Sequence, residues 1–221
     1  MFLFPTLQEI EALEAAWREQ RVWARTAADR EDNEQFVTFK APDGRMVDET
    51  DYYNLVSYKN FRYAADAVCE ELSKLPRVSR VMLFGSVAQP LVKELPLMRH
   101  YRRAGREVWH HCKDVDLAVW LDDLGDLRAL QLARSRGLNK LLAAGRGSVA
   151  HHQVELFLFL TGSDQYRGRL CSFKTCPKQG KVECAVAGCG EVRLLRQHHE
   201  FRFRDDALAE GRVVELYRRA T

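Results

Sequence analysis

The sequence predicts an α+β fold: a mixed β-sheet core with flanking helices, a helical extension before it and a small cysteine-rich, β-like segment after it. Three observations carry this expectation. Between residues 78 and 160 the pattern runs strand, helical material, strand, helix, strand. Two long stretches upstream place apolar residues at helical spacing. After Leu170 that spacing vanishes and four cysteines fall between positions 171 and 189. Three segments follow: residues 1–76 as a helical extension with a short hairpin, 77–165 as the core, and 166–221 as the cysteine-rich segment.

The first helix is expected over residues 7–25, with Leu7, Ile10, Leu13, Ala16 and Trp17 on one face. Thr6 suits its N-cap, with Glu9 as capping-box partner. Residues 36–40 alternate as a strand, Pro42-Asp43-Gly44 makes a turn, and Arg45-Met46-Val47 returns. A second helix is expected from Asp51 to Leu75, stopped by Pro76. Val78 to Leu83 is an apolar strand running into Phe84-Gly85-Ser86. Val115 to Leu121 is a second strand, and Gln153 to Leu160 a third. A helix from Asp126 to Ala144 lies between those two, stopped by Gly145-Arg146-Gly147. Phe201-Arg202-Phe203 and Val213-Val214-Glu215-Leu216 read as short strands.

Bulk composition narrows the function classes. With 46% hydrophobic residues, 221 residues can bury a substantial core. The 34 basic and 31 acidic residues leave a net charge of +3. That near-balance gives no support to non-specific nucleic-acid binding. No stretch is long and apolar enough to span a membrane, and the start lacks the pattern of a secretory signal. The expected location is the cytoplasm, where six cysteines serve as thiols or metal ligands rather than disulfides.

The informative feature is Asp114-Val115-Asp116. Side chains at i and i+2 of a strand share a face, so these carboxylates project together. Anions this close repel unless a cation lies between them. Mg²⁺, or Mn²⁺, suits an all-oxygen site that keeps room for phosphates. Alone, such a pair is more often a solvated couple. Two further features change the weighting. Gly85-Ser86 closes the upstream strand with a residue that lets backbone approach an anion and with a hydroxyl donor. Glu155 is the one acid in the apolar run Val154 to Leu160, where an unpartnered carboxylate is costly.

Taken in order, Phe84-Gly85-Ser86, Asp114-Val115-Asp116-Leu117 and Val154-Glu155-Leu156 resemble the signature of the DNA polymerase beta-like nucleotidyltransferase superfamily, in its small bacterial or minimal form. The resemblance covers residues 78–160. It implies that Asp114, Asp116 and Glu155 hold two metal ions, Mg²⁺ or Mn²⁺, one acting on the acceptor hydroxyl and one on the triphosphate, and that Gly85 and Ser86 hold the phosphates of a nucleoside triphosphate. It also implies that a nucleoside monophosphate, typically from ATP, moves to a hydroxyl acceptor with release of pyrophosphate. The acceptor could be a protein hydroxyl, an RNA end or a small molecule. Two departures stand out. The gap from Ser86 to Asp114 holds 27 residues, more than is usual in that family. Val87-Ala88-Gln89-Pro90 stands where small members often carry an arginine. Lys93, Arg102, Arg103 or Lys113 could supply that charge, and the insertion with Tyr101, Trp109, His110 and His111 could be a lid or docking surface.

Cys171, Cys176, Cys184 and Cys189 are spaced Cys-x4-Cys-x7-Cys-x4-Cys. Four thiolates on short, glycine-bearing loops suit a closed structural Zn²⁺ site; free thiols are the alternative. His198 and His199 could replace a cysteine but read more readily as surface residues, and His151-His152 as loop residues able to reach the acidic site. Cys69 and Cys112 read as packing residues. Two other functions remain open: a non-catalytic binding module built on the same core, contacting protein or nucleic acid through the zinc segment, and a metal-dependent phosphohydrolase with water as acceptor.

Overall fold

The computed structural model describes residues 38–40, 46–89 and 111–220, with helical positions 8, 11, 12, 14–16, 18 and 19. Thr6, Glu9 and most of the insertion, including Lys93, Tyr101, Arg102, Arg103, Trp109 and His110, lie outside the described residues. The elements are β1 (Thr38–Lys40), β2 (Met46–Asp48), α1 (Glu49–Ser73), β3 (Val78–Phe84), β4 (Val115–Leu121), α2 (Leu127–Ala143), β5 (Val154–Leu160), β6 (Tyr166–Leu170), β7 (Leu195–Arg196) and β8 (Val214–Arg218). The chain is α+β. β1 and β2 pair antiparallel as the expected hairpin. The other six strands form one mixed sheet in the order β7-β6-β5-β4-β3-β8.

Two compact units emerge: Met1–Lys59 with Pro90–Cys112, and Asn60–Gln89 with Lys113–Thr221. In the first, Lys59 pairs with Glu14 in a largely buried ion pair. The second holds the whole six-stranded sheet. Residues 166–221 are built into that sheet, contributing β6, β7 and β8.

β4 and β5 are parallel, joined across α2, and every other pairing in the sheet is antiparallel. The helix starts where Asp126 caps it, accepting from the Ala129 amide at 3.3 Å. Strand alternation gives the sheet two unlike faces. On one, Val81, Leu83, Leu117, Val119, Leu121, Leu156 and Leu158 are fully buried, and this face meets the helices. Helical residues Ala64, Val68, Leu72, Leu130 and Ala133 are equally buried. Each large apolar side chain so removed from water contributes about 1.5–3 kcal/mol. Gly137 lets α2 close on α1: a Cβ there would lie 2.6 Å from the Ala67 carbonyl oxygen.

The other face carries Met82, Phe84, Ala118, Trp120, Phe157 and Phe159. Tyr166, Phe203, Ala207, Leu208 and Val213 pack against it. The expected strand at Phe201-Arg202-Phe203 does not form; this stretch has no ladder partner. Its alternation serves packing instead, with Phe203 edge-on to Phe159 at 5.2 Å and to Phe84 at 5.6 Å. No described helix is long and apolar enough to cross a membrane.

Candidate functional site

The site forms where β3 ends and β4 and β5 begin. Because β3 runs antiparallel to β4, Phe84 stands opposite Asp116. Because β5 runs parallel to β4, Asp116 stands opposite Glu155. Register partners point to the same sheet face, so Asp116 and Glu155 project together, on the face that carries Ala118, Phe157 and the aromatic cluster. Asp114 precedes the strand by one residue and lies close enough to act on Asp116. Burial, then the charges of Asp114 and Glu155, push the Asp116 carboxyl up to about 7. Asp114 and Asp116, neighbours in sequence, and the distant Glu155 thus lie near one end of the sheet, although among the described residues no three such side chains are already arranged to hold a metal ion.

Gly85 closes the site on the β3 side. Its backbone (φ 76°, ψ −153°) lies in a region essentially restricted to glycine. A Cβ there would also overlap the Asp116 carboxylate. Glycine is required on both counts, and the backbone meets the acid directly. Ser86 follows, opening a 3-10 turn over Ser86–Ala88 whose Val87 and Ala88 are buried.

The residue that sequence reasoning missed is Arg169. It stands opposite Phe157 on β6, one strand from Glu155, and forms an ion pair with Glu155. Its guanidinium lies over the rings of Phe157 (5.4 Å) and Phe201 (5.3 Å). Its Nε donates to His198 Nε2 at 2.8 Å. Burial and the nearby Arg169 and Arg196 push the His198 imidazole down to about 4, so His198 accepts this bond as a neutral base near pH 7. Arg169 also favours the charged form of Asp116. The expected surface role holds for His199, which is exposed beside Glu200, and fails for His198.

The other candidates have partners of their own. Lys113 is exposed, and its carbonyl accepts from Gln153 at 3.4 Å. His151 faces the Ser135 hydroxyl at 3.4 Å, on α2 rather than at the carboxylates. In the first compact unit, His111 pairs with Asn54 at 3.0 Å. Cys69 and Cys112 are buried as expected; burial and Asp66 push the Cys69 thiol up to about 12.

The four clustered cysteines occupy the turns between β6 and β7. Cys171 is buried, and Cys176, Cys184 and Cys189 are partly buried. Cys171 feels both Cys176 and Cys184. Among the described residues, no group of three or more His, Cys, Asp or Glu side chains is arranged to hold a metal ion. Comparison with known proteins gives no match: no protein-family model, no curated protein and no solved structure.

Proposed function

We propose that the chain is a metal-dependent nucleotidyltransferase that moves a nucleoside monophosphate from an NTP to a hydroxyl acceptor and releases pyrophosphate. The observation that supports this most is the register: Asp116 opposite Glu155, Asp114 two residues earlier, and Gly85 against the Asp116 carboxylate. The donor set suits Mg²⁺ or Mn²⁺, being all oxygen, and burial together with the charges of Asp114 and Glu155 raises Asp116 to about 7. Asp114, Asp116 and Glu155 would hold the ion, which when bound neutralises phosphate charge and makes the acceptor hydroxyl more acidic.

The chain's own groups do the rest. Gly85 leaves backbone open to a phosphate, and Ser86 brings a hydroxyl donor. Arg169 adds a fixed positive charge beside Glu155, in the role that Lys93, Arg102, Arg103 or Lys113 was expected to fill. A carboxylate of the set takes the acceptor proton. Positioning and charge complementarity supply most of the rate.

The Arg169–Glu155 ion pair favours a second reading, a non-catalytic binding module, since a guanidinium there satisfies one carboxylate without metal. Incubation with NTPs labelled at the α-phosphate, with Mg²⁺ or Mn²⁺, separates the two. Transferred label and pyrophosphate support the enzyme. Free nucleoside monophosphate without a labelled acceptor points to hydrolysis. No nucleotide binding in the presence of either metal leaves the module.

A further inference from the structure

Between β6 and β7 the chain makes a loop of 24 residues, from Cys171 to Leu194, that does not extend the sheet. Backbone hydrogen bonds shape its turns, and sulfur accepts three further bonds within it. The Phe173 amide donates to Cys171 Sγ at 3.4 Å, the Lys178 amide to Cys184 Sγ at 3.3 Å, and the Leu194 amide to Cys176 Sγ at 3.1 Å. A neutral thiol is a weak acceptor, and three such bonds in one loop are the outer-shell arrangement that supports metal-bound thiolates. The fourth cysteine lies in the same fold of chain: a Cβ placed on Gly190, directly after Cys189, would lie 3.6 Å from Pro177, directly after Cys176. Residues 171–196 also carry Lys174, Lys178, Lys181, Arg193 and Arg196 against Glu183 and Glu191, which offsets the net negative charge of a metal bound by four thiolates.

The loop is continuous with the acidic site. Cys171 follows β6 directly, and its amide donates to the Leu194 carbonyl at 2.8 Å. Leu170 then pairs with Leu195, and Arg169 with Arg196. His198, two residues past β7, meets Arg169. One end of the knuckle therefore sets Arg169 and the other sets His198. Gln131 of α2 anchors the near end, donating to the Phe173 carbonyl at 3.2 Å.

We propose that Cys171, Cys176, Cys184 and Cys189 bind one Zn²⁺, and that this zinc knuckle is the clasp that pairs β6 with β7 and so seats Arg169 between Glu155 and His198. Binding draws the three partly exposed sulfurs onto buried Cys171, with loss of the thiol protons. The zinc site stands on its own observations; the role given to Arg169 rests on the function proposed above. In that scheme Arg169 is the binding residue, and the zinc acts on the site only by seating it.

The test uses the full chain without nucleotide, so its outcome is independent of any transferase activity. Elemental analysis of protein purified without chelator is expected to give about one zinc per chain. Exchange into Co²⁺ is expected to give the visible and thiolate charge-transfer bands of a tetrahedral sulfur site. Cys184→Ser is expected to lose both, and to speed amide exchange in residues 166–170 and 195–196 by roughly tenfold. If that variant does not fold, stripping zinc from the wild-type protein with a thiol-reactive mercurial and a chelator gives the same exchange readout. Less than a tenth of a zinc per chain, with all four thiols reacting freely in the native protein, overturns the site. Zinc loss with unchanged exchange in β6 and β7 overturns the clasp.

Discussion

Replacing Asp116 by asparagine probes the convergence of the three carboxylates without nucleotide. In the fold the Asp116 carboxyl sits at about 7, against an ordinary 3.8 in an unfolded chain. The folded state therefore holds the proton more tightly. The associated stability is complete below about pH 4 and is lost as pH rises through 7. Three units correspond to a ceiling of about 4 kcal/mol. Asp116 is only partly buried, so solvent screening brings the expected loss to about 2–4 kcal/mol. Asparagine keeps the shape and removes the charge. Urea unfolding in EDTA, from pH 5 to pH 8.5, should show wild-type stability falling relative to Asp116→Asn, with the variant about 2–4 kcal/mol more stable at the alkaline end. Mn²⁺ should recover stability in the wild type above pH 7, by about 1.4 kcal/mol for each tenfold excess over its Kd, and should not do so in the variant. Parallel pH curves for the two proteins in EDTA would refute the convergence.

Arg169→Gln should lower stability in EDTA by about 1–2 kcal/mol, because Glu155 loses its counter-charge; it should tighten Mn²⁺ binding in calorimetry, since guanidinium and metal share one carboxylate, and raise the nucleotide KM. Gly85→Ala should cost about 1–3 kcal/mol from backbone conformation alone, with a further loss from overlap with Asp116, and should abolish nucleotide transfer. His198→Asn should remove an acid-side loss of stability: the folded imidazole sits at about 4 against 6.5, so His198 favours folding above pH 6.5 and that contribution fades toward pH 4. Gly137→Ala, far from the carboxylates, should destabilise by about 1–3 kcal/mol through the α1–α2 contact, while leaving metal affinity unchanged by calorimetry.

The legible parts of the sequence were those where one face decides the residue type. β3, β4 and β5 are read from apolar runs because their helix-facing residues are wholly buried, and the single acid in β5 stands out against that run. β6 was not legible. Tyr166-Arg167-Gly168-Arg169-Leu170 carries two arginines and a glycine, and neither charge looks inward in sequence. The strand exists because β5 offers a ladder, and its Gly168 admits Leu195, whose Cδ1 would lie 2.9 Å from a Cβ there. Phe201 and Phe203 show the converse error. Their alternation imitates a strand, yet Phe203 packs into the aromatic cluster and Phe201, still exposed, only borders it. Arg169 was invisible because its partnership with Glu155 depends on the β5–β6 register, which no local pattern encodes.

Folding alone does not account for the acidic end of this sheet. At β4 and β5 the same face supports Ala118, Trp120, Phe157 and Phe159 two and four residues further along, all buried. Continuing that apolar pattern into positions 116 and 155 would extend the core and remove a carboxyl that burial, then the neighbouring charges, push up. The chain instead places two carboxylates opposite each other, adds a third, and gives the adjoining turn a glycine whose conformation excludes other residues. It then brings one arginine to Glu155, which offsets only part of the cost that burial and the neighbouring acids place on Asp116. Local rules broken together at one point, each at a cost in stability, are what the proposed metal site predicts. A ligand that relieves this cost must be cationic where it meets Asp116, which is why the metal titration above pH 7 discriminates between a functional and a structural origin for the cluster.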